Sequence, residues 1–234
     1  MKKVVKFGGS SLADATQCAK SAAIVRADEN RRYVVPSAPG KRYDADKKVT
    51  DMLYACYAKA EEGGGFQKDL RQIQARYQEI IDGLELDFSL DEEFATIEKN
   101  FAAGAGRDYA ASRGEYLSGL VMAHYLGWEF VDPAETVLFD EDGNFDSEAT
   151  NALLGARLSE VERAVIPGFY GAYESGRIKT FSRGGSDVTG SIVARAVMAD
   201  VYENWTDVSG FLVADPRIVE NPASIEVITY RELR

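Results

Sequence analysis

Residues 4–7, Val-Val-Lys-Phe, form a brief β-branched run that stops at Gly8-Gly9, and this opening most constrains the fold of the 234-residue chain. A short apolar run closed by glycines reads as a buried strand. Asp14 can cap a following helix, because Cys18, Ala22 and Val25 recur at helical spacing before the charged stretch 26–32 ends the unit. Residues 33–36 then read as a second strand. Strand, helix and strand with short connections imply a right-handed crossover and a parallel pair, which places the chain in the α/β class.

Residues 41–112 switch to helical patterning. Val49, Met52, Leu53, Cys56, Tyr57 and Ala60 make one apolar stripe, and Leu70, Ile73, Tyr77 and Ile80 make another. Gly63-Gly64-Gly65 separates the two, and Phe94, Ile97 and Phe101 predict a third helix. A helical lobe set into the α/β layer follows from this pattern. The α/β rhythm resumes with a helix over 115–126, the apolar segment 128–131, and a hairpin expected around Asp142-Gly143 between Leu138-Phe139 and Phe145. Further strands are expected at 164–170, 178–181 and 201–205, with a helix near 187–198.

Several function classes are excluded early. A formal net charge of −11 disfavours nucleic acid and anionic membrane as partners. No apolar run approaches the ~18 residues of a membrane-spanning helix, and the N-terminus lacks a signal-peptide core, so a cytoplasmic protein is expected. Cys18 and Cys56 sit among alanines, leucines and tyrosines, and with one histidine they cannot build a tetrahedral zinc site. Both should be buried, reduced thiols. His124, spaced helically with Leu117, Leu120 and Val121, is expected in the core rather than at a ligand or catalytic position. The acidic turn 140–144 has its glycine too early for a calcium loop and reads as solvated.

The chemistry concentrates in loops that follow strands, where open α/β sheets bind ligands. Ser37-Ala38-Pro39-Gly40-Lys41 lacks the upstream glycine and trailing Ser/Thr of a P-loop, and Gly104-Ala105-Gly106 has neither a third glycine nor a preceding strand. Lys6-Phe7-Gly8-Gly9-Ser10-Ser11 is a better phosphate loop: two glycines let backbone N–H groups approach, and a lysine inside an apolar strand is costly without a partner. Ser182-Arg183-Gly184-Gly185-Ser186-Asp187 combines glycines, a guanidinium and a helix N-terminus into an anion site. Trp205-Thr206-Asp207-Val208-Ser209-Gly210 with Asp215-Pro216-Arg217 could hold a nucleobase and ribose, although Asp-Pro is also an ordinary turn. Arg113-Gly114-Glu115 reads locally as a helix start, with Glu115 a first-turn acid.

Together these segments resemble the aspartate kinases of the amino acid kinase family. The resemblance rests on Lys-Phe-Gly-Gly-Ser-Ser at residue 6, Ser-Ala-Pro-Gly-Lys with Thr50-Asp51, Arg-Gly-Glu-Tyr-Leu-Ser at residue 113, Arg-Gly-Gly-Ser-Asp at residue 183, and Trp-Thr-Asp-Val with Asp-Pro-Arg. It implies a three-layer sandwich with a mainly parallel central sheet plus the helical lobe at about 41–112, ATP and Mg²⁺ as cofactors, and transfer of the γ-phosphoryl to the β-carboxylate of L-aspartate. Lys6, Gly8, Gly9, Ser10 and Ser186 would position phosphates, with Asp187 orienting Lys6. Ser37, Thr50, Glu115 and Arg183 would hold aspartate, and Thr206, Asp207 and Arg217 the nucleotide. The resemblance further implies a homo-oligomer at full length and a single kinase domain over 1–234 that is incomplete at its C-terminus and lacks ACT regulatory domains. Leu212 stands where the family often has tyrosine. Two alternatives remain open here: an inactive nucleotide-binding fragment, and a kinase of a related acidic metabolite such as glutamate.

Overall fold

The computed structural model describes residues 1–182, 184–207, 210, 212–215 and 218–227. Strand β1 (Lys3–Phe7) leads through a 3₁₀ turn (Gly9–Leu12) into α1 (Ala15–Arg26), and β2 (Arg31–Pro36) returns parallel to β1. The Asp14 carboxylate accepts the Gln17 backbone N–H at 2.9 Å and caps α1 as expected. Helices α2 (Val49–Glu61), α3 (Gln67–Gly83) and α4 (Asp91–Ala102) follow, then α5 (Arg107–Leu126), β3 (Glu129–Phe130) and α6 (Pro133–Thr136). The remainder comprises β4 (Leu138–Phe139), α7 (Ser147–Ser159), β5 (Ala164–Val165), β6 (Tyr170–Tyr173), β7 (Ile178–Thr180), α8 (Gly185–Ala196) and β8 (Val201–Trp205).

The central sheet runs β3-β5-β2-β1-β8 with every pairing parallel. Alternation along its strands feeds two separate cores. Val5, Phe7 and Val34 pack with α1 and the helical lobe, whereas Val4, Val35 and Ala164 pack with Leu154 of α7 and Val193 of α8. Helices on both faces of a parallel sheet are the expected α/β sandwich. The same alternation sends Lys6 to the face of Val4, toward α8, which decides its partner.

Three local expectations are corrected. The segment 164–170 is not one strand: β5 ends before Pro167-Gly168, Phe169 takes φ 81°, and β6 starts a second sheet ordered β4-β6-β7. The 138–145 region makes only a single antiparallel bridge, Phe139 to Phe145, because β4 pairs in parallel with β6. His124 is exposed and stacks on Phe88 at 4.5 Å, since the last turn of α5 extends past the layer that buries Leu117, Val121 and Met122. Cys18 and Cys56 are buried free thiols, and burial pushes them up to about 12 and about 11. No described helix is long and apolar enough to cross a membrane.

Candidate active site

Where β1 and β2 end at their C-terminal edge, a cleft of about 350 Å³ opens. Its walls are Lys6, Gly8 and Gly9 from the first loop, Ser37 after β2, Lys48, Thr50 and Asp51 at the start of α2, Glu115 from α5, and Phe169 with Gly184–Asp187 at the start of α8. Residues far apart in the chain therefore meet where an α/β sheet offers its ligand crevice. A larger hollow of about 820 Å³ lies beside the second sheet, but Asp140, Glu141, Asp146 and Glu174 line it and its one cation, Arg177, stacks on Tyr173. Such an acidic wall suits no polyphosphate.

Lys6 is the charged centre of the cleft. Only 8% exposed, its Nζ lies 2.9 Å from Asp187 Oδ1, which also accepts the Asn204 amide at 3.0 Å. The pair forms because β1 directs Lys6 toward α8 and Asp187 stands in the first turn of that helix. Gly184, at φ 78°, lets the chain turn into α8 so that the first residues of the helix line the cleft. Gly168 gives α8 room, because a Cβ there would fall 2.6 Å from Ser186 Oγ. Phe169, held at positive φ, donates its backbone N–H to Thr189 Oγ1 at 2.9 Å and forms the adjoining wall.

Glu115 is not in a first helical turn, for α5 begins at Arg107 and buries the carboxyl mid-helix. Gly114 makes this possible by admitting Ala38, whose Cβ would stand 2.7 Å from a Cβ at 114. Burial pushes Glu115 up to about 8, against the opposing hydrogen bond from the Ala38 backbone N–H. Its Oε2 has no hydrogen-bond partner. A buried acceptor without a donor, on the wall of a cleft, is the atom most in want of a ligand. Arg113 turns the other way and is enclosed by the rings of Tyr109, Tyr116 and Tyr170 at 4.7, 4.2 and 5.4 Å, so it anchors α5 rather than entering the cleft.

Of the residues singled out from sequence, Lys6, Gly8, Gly9, Ser37, Thr50, Glu115, Ser186 and Asp187 share this cleft. Ser10, Thr206 and Asp207 lie outside its wall. Thr206 donates to Asp207 Oδ1 at 3.0 Å, and both are exposed beyond the end of β8. Arg183 and Arg217 fall outside the described residues. Lys48, Asp51 and Phe169 line the cleft without having been singled out as site residues. Asp51 stood in the Thr50-Asp51 pair and Lys48 is two residues before it, but Phe169 carries no local signal beyond the Pro167-Gly168 turn. Among the described residues, no group of three or more His, Cys, Asp or Glu side chains is placed to hold a metal ion.

A family model, the amino acid kinase family, matches residues 1–234. The chain belongs to the amino acid kinase family. Within that family it is 39% identical to aspartokinase 3 of Bacillus subtilis over 99% of this chain and 54% of that protein. It superposes on the crystal structure of Clostridium acetobutylicum aspartate kinase with a TM-score of 0.95 and 52% identity, covering 100% of this chain and 54% of that one. The crystal structure of Escherichia coli aspartokinase III in complex with aspartate and ADP matches with a TM-score of 0.82 and 29% identity, over 96% of this chain and 53% of that one. The chain thus spans about half the length of these relatives.

Proposed function

We propose that the chain is the catalytic part of an aspartate kinase, moving the γ-phosphoryl group of ATP onto the β-carboxylate of L-aspartate to give 4-phospho-L-aspartate, the first step toward lysine, threonine and methionine. The observation that carries this reading is one cleft holding both a buried lysine paired with the half-exposed Asp187 carboxylate beside a glycine loop and a buried carboxylate oxygen with no donor. Lys6, the close backbone approach allowed by Gly8 and Gly9, and the N-terminus of α8 at Ser186 supply room and positive potential for phosphates, and Asp187 keeps the Lys6 ammonium in place. Glu115 takes the α-ammonium group of aspartate. Ser37 and Thr50 position the rest of the amino acid, Arg183 takes its α-carboxylate, and Ser10, Thr206, Asp207 and Arg217 serve the nucleotide. The aspartate and ADP bound by the Escherichia coli relative support the choice of substrates, and the kinase resemblance is what suggests this division of roles.

The acceptor carboxylate, with an unperturbed pKa of about 3.9, is ionised at neutral pH. Transfer therefore needs no general base, and the protein's contribution is charge neutralisation and in-line positioning. Magnesium arriving on the nucleotide phosphates requires only one or two protein oxygens, and Asp51 and the second carboxylate oxygen of Asp187 lie in the cleft for it. When bound, it spreads the developing phosphoryl charge.

Trapping the acyl phosphate with hydroxylamine tests the assignment. ATP-dependent hydroxamate should form from aspartate and far less from glutamate. Hydroxamate from glutamate with none from aspartate would reassign the acceptor, and ATP binding without turnover on any dicarboxylic amino acid would leave a nucleotide-binding fragment.

A further inference from the structure

The segment between Ser37 and Thr50 carries cleft residues at both ends, yet its middle, residues 41–48, has no apolar anchor. Lys41, Arg42, Asp44, Lys47 and Lys48 are exposed, and the ring of Tyr43 is 62% exposed. A solvated loop of this kind owes its position to whatever grips it from outside. Its neck is closed by the Val49 N–H to the Pro39 carbonyl at 3.1 Å. Its body meets α3 of the lobe at two residues, Glu79, in an exposed ion pair with Arg42 at 2.9 Å, and a second, buried residue.

That residue is Arg76, which occupies the core stripe of α3 between Ile73 and Ile80 and is only 4% exposed. A guanidinium on such a stripe costs desolvation that leucine or methionine would avoid, so its presence asks for a reason beyond packing. It donates to the Gly40 carbonyl and, at 2.5 Å, to the Lys47 carbonyl, and lies 3.3 Å from the Asp46 carboxylate. The loop is thereby held near both ends at once by one planar fork. Gly40 in turn donates its N–H to the Gly9 carbonyl at 2.7 Å, so the gripped loop bears directly on the phosphate loop.

We propose that Arg76 is a positioning residue for the acceptor side of the cleft: reaching from the helical lobe to the Gly40 and Lys47 carbonyls and Asp46, it sets where Ser37 and Thr50 stand. The inference rests on the kinase reading for its substrate and on the geometry alone for its mechanism. Arg76 touches no substrate. It acts through the loop, and the nucleotide side, tied to backbone bonds of β1 and β8, depends on it less.

The test uses Arg76→Met, Arg76→Lys and Asp46→Asn in the intact protein. Arg76→Met should raise KM for aspartate roughly tenfold or more while KM for ATP changes less than about threefold, because displacing positioned groups by about 1 Å can cost on the order of 10²-fold. Arg76→Lys, which keeps the charge but cannot span both carbonyls, should fall between. Asp46→Asn leaves α3 intact and should move aspartate KM in the same direction by less, which keeps the proposal testable where Arg76→Met does not fold. Trypsin supplies a readout independent of substrate: cleavage within 41–48 should speed up about tenfold in Arg76→Met or, more modestly, in Asp46→Asn. An unchanged aspartate KM in folded variants of an active enzyme overturns the proposal, as do equal rises in both KM values. If the unmodified protein makes no hydroxamate from aspartate, the functional reading fails by itself. Unchanged tryptic cleavage then overturns the role of Arg76 independently.

Discussion

Replacing Glu115 by glutamine removes one titration from the folded protein and leaves its shape nearly unchanged. The carboxyl ordinarily ionises near 4.5, and burial in α5 pushes it up to about 8. Between those values the native state holds a proton that the unfolded chain has released. Native protein binds more protons there, so stability falls as pH rises through the window and levels off above about 8. The full shift corresponds to about 5 kcal/mol, roughly half of it falling between pH 6 and pH 9. Urea unfolding of the parent and of Glu115→Gln at those two pH values isolates the contribution, because every other titrating group cancels in the difference. The variant should gain about 2–3 kcal/mol relative to the parent on going from pH 6 to pH 9. A substrate ammonium that meets the unpartnered Oε2 must also drive the proton off. Aspartate binding at pH 7 should then release most of one proton, read by calorimetry in buffers of different ionisation enthalpy, and the release should vanish in the variant. Parallel pH dependence of the two proteins would refute the buried neutral carboxyl. Aspartate binding without proton release would separate Glu115 from the substrate ammonium.

Asp187→Asn strips the buried Lys6 ammonium of its carboxylate partner and should destabilise the protein by about 1.5–3 kcal/mol, with turnover falling far more than ATP affinity. Adding Lys6→Met should recover stability in thermal unfolding but not activity, whereas recovered turnover would deny Lys6 its role. Gly40→Ala places a Cβ 2.6 Å from the Gly9 backbone carbon, so the two substrate loops must part, at a cost of about 1–3 kcal/mol in chemical denaturation. Unchanged stability and an unchanged KM for ATP would show that the loops do not need this contact.

The class of fold was legible in local chemistry. β-branched runs closed by glycine, the Asp14 cap and stripes at helical spacing each act over a few residues, and they predicted the parallel sheet with its helices. Lys6 stood out for the same reason, as an ammonium in a strand with no local partner. Tertiary structure alone decided what depends on segments distant in sequence. Gly114 and its small neighbours hid the continuity of α5, since glycine is a poor helix former and only the packing of Ala38 against it makes the choice favourable. Hence Glu115 read locally as a first-turn acid and proved to be buried in mid-helix. His124 erred in the opposite direction, because periodicity says which residues share a face and not whether another layer covers that face. Arg76 left no trace in its stripe. Its partners are two carbonyls and a carboxylate some thirty residues earlier, brought to it by the return of the chain from β2 through the lobe. Periodicity and turn chemistry are properties of neighbours along the chain. Burial, ion pairing and an unpartnered oxygen are properties of neighbours in space, and the site is built from the second kind.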